Sequence, residues 1–276
     1  MQKPWIILFA FLIGFSPAFA EELETEPNDA AKPTPPADVV KPPAKENFHI
    51  YLLMGQSNMA GRGKLEPQTK NTRVLALAAD GQWTLAKDPM HPKQGRTEPG
   101  IGPGIPFAVE MLKTDPKITI GLVPCAVGGS PLKSWVKKGK NYTTAIERAK
   151  SVEQFGTIKG VLWHQGETDS MKQGDADTYE KRLTQMFSDL RADLGQPNLP
   201  IVVGQIGEFV SENPKFPFTE PVRAALVNIP KVVTHTGFAD SAGLKDKGDK
   251  LHFDTAAQKE LGKHYAHAMY EVQKQK

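Results

Sequence analysis

Cysteine is almost missing: Cys125 is the one thiol in 276 residues. A single cysteine forms no internal disulfide and supports no cysteine-based metal site. It closes the apolar run Ile118 to Cys125, so a packed, inert thiol is expected, with a cysteine nucleophile as the lesser alternative. An excess of one charge sign is also lacking. The formal net charge is +3, and no Lys/Arg run or aromatic-basic stripe provides a footprint for nucleic acid. No H-E-x-x-H or comparable ligand spacing occurs; His164, Glu167 and Asp169 make no such pattern, and neither metal nor other cofactor is expected. No internal repeat is evident.

The apolar run Trp5 to Phe15 follows Lys3 and precedes Ala18-Phe19-Ala20. That order of basic, apolar and small residues reads as a secretory signal peptide over residues 1–20. It implies a secreted or periplasmic protein with no stable membrane association after cleavage. An uncleaved anchor is the alternative, although the run is short for a membrane span. No cysteine follows the cleavage point, which excludes a lipoprotein. Residues 21–47 hold Pro27, Pro33, Pro35, Pro36, Pro42 and Pro43 among Glu, Lys, Ala and Thr. Such a stretch has too little apolar surface to offset its ordering entropy, so a disordered tether is expected there.

From residue 48 to 276 the texture is that of one α/β domain. Strands are expected at Phe48–Met54, Arg73–Leu77, Lys117–Val123, Lys159–Trp163, Ile201–Ile206 and Lys231–Thr236. Several are rich in Val, Ile and Leu with little alternation, as in strands covered on both faces. Helices are expected at Pro106–Lys113, Tyr142–Gln154, Asp177–Leu194, Glu220–Val227 and Thr255–Lys274. Pro221 suits a first helical turn, and Asp254 or Thr255 can cap the last helix. The alternation predicts a three-layer α/β sandwich with a mostly parallel sheet. Ligands then sit at the carboxyl ends of the strands, and those loops carry the chemistry.

The first strand runs into Gly55-Gln56-Ser57-Asn58-Met59. A glycine permits a sharp strand exit, and a serine there is a candidate nucleophile beside a backbone oxyanion donor; alone it reads more readily as a turn or capping serine. A serine hydroxyl needs a base, and His252 in Asp249-Lys250-Leu251-His252 is the candidate. Asp249, three residues earlier in a short loop, can reach its Nδ1 and fix its tautomer. The competing reading is a loop histidine beside a capping aspartate. The paired glycines Gly128-Gly129 let backbone approach a ligand, making the Gly129 N–H an oxyanion candidate, against a simple turn. Gln165, in His164-Gln165-Gly166-Glu167-Thr168-Asp169, carries an amide that can point the same way. Trp163 reads as core, whereas Trp135 and His91 are candidates to border a substrate site.

These segments resemble the conserved blocks of the SGNH (GDSL-type) hydrolase superfamily, and most of all carbohydrate esterase family 6 and the sialate O-acetylesterase-like group. The matching stretches are YLLMGQSNMAGRG at Tyr51–Gly63, GPGIPFA at Gly102–Ala108, GLVPCAVGGSPLKSW at Gly121–Trp135, VLWHQGETD at Val161–Asp169, and Asp249–His252. The resemblance implies a flavodoxin-like sandwich, with Ser57 as nucleophile, His252 as base and Asp249 as its orienter. It also implies an oxyanion hole from the Ser57 and Gly129 N–H groups and the Gln165 side chain. Gly55-Gln56-Ser57 replaces the superfamily's Gly-Asp-Ser, and Gln165 replaces its Asn; both are the form of the carbohydrate-esterase branch. In that branch a glutamate at the position of Glu167 is an alternative orienter. Position 59 is Met, which departs from the G-x-S-x-G elbow of α/β-hydrolases.

The expected function is therefore O-deacetylation of a carbohydrate through an acetyl-enzyme, with acetylxylan the first substrate and acetylated sialic acid the alternative. A catalytically dead carbohydrate-binding protein is the alternative of another class. A glycosidase using Glu167 and Asp169 is disfavoured, since carboxylates two residues apart on a loop rarely flank one bond.

Overall fold

The computed structural model describes residues 39–93 and 97–275. The expected leader and most of the Pro-rich stretch lie outside them. That stretch was expected to run to residue 47, but its last residues belong to the fold. Val39 bridges to Thr84, Val40 N donates to Trp83 O at 2.8 Å, and Lys45–Asn47 form a short 3-10 turn.

Seven strands make one sheet: β1 (Phe48–Gly55), β2 (Val74–Leu77), β3 (Trp83–Leu85), β4 (Thr119–Pro124), β5 (Thr157–His164), β6 (Ile201–Gly204) and β7 (Thr236–Ala239). Their order is β3-β2-β4-β1-β5-β6-β7. Among the described residues the β2–β3 hairpin is the one antiparallel pair of named strands, and the other strand pairs are parallel. The helices are α1 (Ser57–Ala60), α2 (Gly104–Met111), α3 (Lys140–Val152), α4 (Gln173–Asp177), α5 (Tyr179–Asp193), α6 (Thr219–Val232) and α7 (Thr255–Gln273).

The near-continuous apolar sequence of β1 reflects burial on both faces. Successive side chains alternate between them. Phe48, Ile50, Leu52 and Met54 pack with residues of α3, α5 and α6, whereas Tyr51 and Leu53 pack with residues of α2 and α7. This is the expected three-layer sandwich. The sequence order reverses around β1, whose neighbours are β4 and β5, and the crevice at such a reversal is where open α/β sheets bind ligands.

Two strand expectations need correction. The run Lys231–Thr236 is not a strand. α6 continues to Val232, His235 takes a positive φ of 51°, and β7 begins at Thr236. The β-branched pair Val232-Val233 straddles the helix end instead of opening a strand. β3 was not expected, because three residues give no periodicity to read.

Candidate active site

The strand ends assemble the site. β1 ends at Gly55, level with His164 at the end of β5, while Leu53 pairs with Pro124 at the end of β4. Gln56 N donates to His164 O at 2.8 Å, and Val127 N donates to Gly55 O at 2.9 Å. Position 55 must be glycine: its φ is +128°, and a Cβ there would sit 2.1 Å from His164 O. The chain then turns into the single-turn helix α1, which Ser57 begins and Gly61, at φ 92°, ends.

The second half of the site comes from the loop before α7. An isolated bridge joins Asp246 to Phe253, Lys247 N donates to His252 O at 2.9 Å, and Asp254 N donates to Lys245 O at 3.0 Å. Asp254 Oδ1 accepts from Ala257 N at 2.7 Å, capping α7. Inside this frame Asp249 Oδ1 accepts the N–H groups of Leu251 and His252 at 3.1 and 2.8 Å. Asp249 Oδ2 lies 2.7 Å from His252 Nδ1, and His252 Nε2 lies 3.0 Å from Ser57 Oγ. A carboxylate on Nδ1 places the proton there, leaving Nε2 as acceptor towards the hydroxyl. Burial lowers the His252 pKa below its ordinary value; the Asp249 hydrogen bond opposes this, and the charges of Lys247 and Arg62 reinforce it. Burial pushes the Asp249 carboxyl up, but its hydrogen bonds to His252 and Leu251 outweigh that and hold it low. The site thus contains a neutral imidazole at neutral pH, poised between a carboxylate and a serine hydroxyl.

Ser57, His252, Gly128 and Gly129 line a cavity of about 400 Å³ together with Arg62, Glu167, Thr168, Phe216 and Leu251. Neither the Ser57 N–H nor the Gly129 N–H has an acceptor among the described residues, so both are free for a ligand oxygen. Gly129 has a φ of 68°, with nothing within 4 Å of a built Cβ; glycine is there for backbone conformation, not space. A larger hollow of about 840 Å³, lined by Glu180, Arg223 and Lys231, has no paired serine and histidine.

Three expected site residues sit elsewhere. Gln165 is fully buried, and its Nε2 is held by Asp169 Oδ2 at 2.7 Å, Gln56 Oε1 at 3.1 Å and Ser130 O at 3.2 Å. Its Oε1 accepts from Tyr179 at 2.9 Å. An amide with two protons and three acceptors has none left for an oxyanion; Gln165 braces the loops behind the site. Trp135 is buried, donates Nε1 to Ser130 Oγ at 2.8 Å and meets Trp163 edge-on at 5.4 Å. It is core, as Trp163 is. His91 is buried beside Cys125 and Arg148 around a different cavity, where its Nε2 accepts from Ala126 N at 3.2 Å. It supports the loop after β4. Burial pushes the Cys125 thiol up to about 11, in keeping with an inert side chain.

Glu167 reaches the cavity but does not bond His252. Its Oε1 accepts from Asn58 Nδ2 at 2.6 Å, and Oε2 is buried without a partner. Burial raises its pKa to about 7. Asn58 connects it to the histidine loop, donating to Leu251 O at 3.1 Å and accepting from Phe253 N at 3.2 Å. The backbone on both sides of His252 is therefore held from the residue following Ser57. Among the described residues no group of three or more His, Cys, Asp or Glu is arranged for a metal ion. Sequence reasoning missed Asn58 and Arg62, although both lie in the Ser57 segment and Arg62 is flanked by glycines.

The chain is similar to several known proteins. A sequence profile described as carbohydrate esterase, sialic acid-specific acetylesterase, matches residues 47–271. A relative from Arabidopsis thaliana, named a probable carbohydrate esterase, is 35% identical over 240 residues, covering 79% of this chain and 89% of its own. The crystal structure of that plant protein superposes with a TM-score of 0.74 at 32% identity, over 82% of this chain and 98% of the other. The crystal structure of NanS shares the fold at 17% identity and a TM-score of 0.69, over 84% of this chain and 99% of the other.

Proposed function

The chain belongs to the carbohydrate esterase family of sialic acid-specific acetylesterases, and on that premise we propose that Ser57, His252 and Asp249 carry out the deacetylation. As a carboxylic ester hydrolase of this family, the protein acts on acetylated carbohydrate. Ser57 Oγ attacks the acetyl carbonyl while His252 Nε2 takes its proton. The tetrahedral oxyanion receives the N–H groups of Ser57 and Gly129, each worth about 2.7–4 kcal/mol in such sites. Collapse breaks the ester bond, and the departing sugar oxygen takes the proton from His252. Water then gives a proton to His252 and attacks the acetyl-enzyme. Acetate leaves as the proton returns to Ser57.

One observation carries this assignment: the continuous chain Asp249–His252–Ser57, at 2.7 and 3.0 Å. Replacing Ser57 with alanine is expected to abolish hydrolysis of an aryl acetate while the circular-dichroism spectrum is unchanged. Activity within about tenfold of wild type would overturn it, since losing a triad member ordinarily costs many powers of ten.

Two substrate groups fit. Acetylated plant polysaccharide, acetylxylan foremost, suits a protein exported by the expected leader to a secreted or periplasmic location. O-acetylated sialic acid is the substrate named in the family description. Acetate release from acetylated xylan compared with O-acetylated sialic acid, by the same enzyme preparation, separates them.

A further inference from the structure

Asn58 follows the nucleophile directly, is fully buried and does not line the Ser57 cavity. Its carboxamide is saturated. Nδ2 donates to Glu167 Oε1 at 2.6 Å and to Leu251 O at 3.1 Å. Oδ1 accepts from Phe253 N at 3.2 Å and from Gln258 Nε2 at 3.4 Å. Two protons and two acceptor sites are all that a carboxamide has. The same partners fix its orientation, because a flipped amide would set NH2 against the Phe253 N–H and oxygen against Leu251 O.

These partners lie in three parts of the chain: the loop after β5, the loop of His252, and α7. Leu251 and Phe253 flank His252, so one side chain clamps the base on both sides. The loop's internal bonds, His252 N to Asp249 Oδ1 and Lys247 N to His252 O, shape it without placing it against Ser57. Thr255 Oγ1 reaches Lys64 O at 3.0 Å, but from the exposed far end of the loop. General-base catalysis needs the two heavy atoms within about 2.6–3.2 Å, and a misplacement of about 1 Å costs about 10² in rate. Ser57 Oγ and His252 Nε2 are 3.0 Å apart. We propose that Asn58 is a positioning residue of the reaction: by holding Leu251 and Phe253 from the residue after the nucleophile, it sets the separation and angle at which His252 meets Ser57. It touches neither substrate nor reacting atoms. The assignment rests on Ser57 and His252 acting as nucleophile and base.

Asn58→Ala tests this on an aryl acetate, alone and in a His252→Ala background. Alone it is expected to lower kcat about 10²-fold, the cost of about 1 Å at the reacting centre, with KM within about threefold of wild type. A residue that acts through His252 has nothing left to position once the imidazole is gone. In the His252→Ala background the same substitution should therefore change the residual kcat by less than about threefold. A residue that merely supports the fold would multiply its loss into both backgrounds. Equal losses in the two backgrounds, or a kcat of Asn58→Ala alone within about threefold of wild type, would overturn the proposal, and so would a loss carried by KM alone. If Asn58→Ala does not fold, Gln258→Met takes its place in both backgrounds, since it removes one of the four bonds and nearly conserves volume. It is expected to lower kcat about 2–10-fold, the range of one hydrogen bond, where His252 is present and not where it is absent. No loss, or the same loss without His252, is then the refuting result. His252→Ala with the activity of wild type would instead remove the base assignment on which the role of Asn58 depends.

Discussion

At the scale of single residues, two carboxylates compete for one histidine, and distance separates them. Asp249 bonds Nδ1 of His252 directly, while Glu167 reaches the histidine loop only through Asn58. Asp249→Asn is therefore expected to lower kcat by about 10³–10⁴-fold, as when a triad carboxylate is lost. Glu167→Gln keeps an acceptor for Asn58 and should stay within about tenfold of wild type, about 1.4 kcal/mol. Steady-state kinetics on an aryl acetate check the ranking, and the reverse order would transfer the orienting role to Glu167. The acid limb of kcat/KM should follow deprotonation of His252. Burial lowers that pKa from 6.5, so the limb should fall below pH 6.5. Asp249→Asn removes the partner that raises it and should move the limb further towards acid. A limb above pH 6.5 in wild type would contradict the buried imidazole. Ser57, Asp249 and His252 were legible because chain-local constraints, a strand exit and a three-residue loop, dictate their geometry. Gln165, Trp135 and His91 were not. Which side of a loop a side chain faces is decided by tertiary packing, here by Asp169, Ser130 and Ala126.

At the scale of elements, apolar runs and breakers carried most of the fold. β1, β4 and β5 were readable because strands buried on both faces leave unbroken apolar sequence. β3 was missed although a hairpin signal precedes it. Asp80-Gly81 forms the turn, with Asp80 Oδ1 accepting from Gln82 N at 3.0 Å and Gly81 at φ 82°, the residue pair such turns favour. α1 has four residues, too few to show a helical period. The start of α7 was legible from Asp254, and it anchors the end of the loop that holds His252. Asp254→Ala is expected to destabilise the protein by about 1 kcal/mol, the ordinary value of an N-cap. Urea unfolding followed by circular dichroism measures this. An unchanged midpoint would mean that α7 is fixed entirely by packing of Leu261, Tyr265 and Met269.

For the whole molecule, buried ionisable groups set how stability responds to pH. Burial holds His91 and His164 at about 3, against 6.5 when exposed, so unfolding takes up protons there below pH 6.5. Burial holds Asp88 and Glu167 at about 7, against 3.8 and 4.5, so unfolding releases protons from them above about pH 4.5. Between roughly pH 4.5 and 6.5 the two effects oppose each other. Tm should be nearly flat there and should fall below about pH 4, where the histidine uptake is no longer opposed and is joined by uptake at Asp249, whose carboxyl the fold holds low. Glu167→Gln removes one releasing group and should make Tm rise with pH across the same window. Calorimetric melts of both proteins test this, and a variant curve as flat as wild type would show that Glu167 is not protonated in the fold. The sheet order, with β1 at the reversal, was not legible from sequence, since strand pairing depends on contacts across the whole chain. The same long-range closure has a consequence during synthesis. Ser57 and His252 are 195 residues apart, so a ribosome that has finished the hydroxyl must add nearly the rest of the domain before the imidazole exists. An unfinished or unfolded chain carries an inert serine, and the hydroxyl gains its base only when the loop of His252 closes against the end of β1.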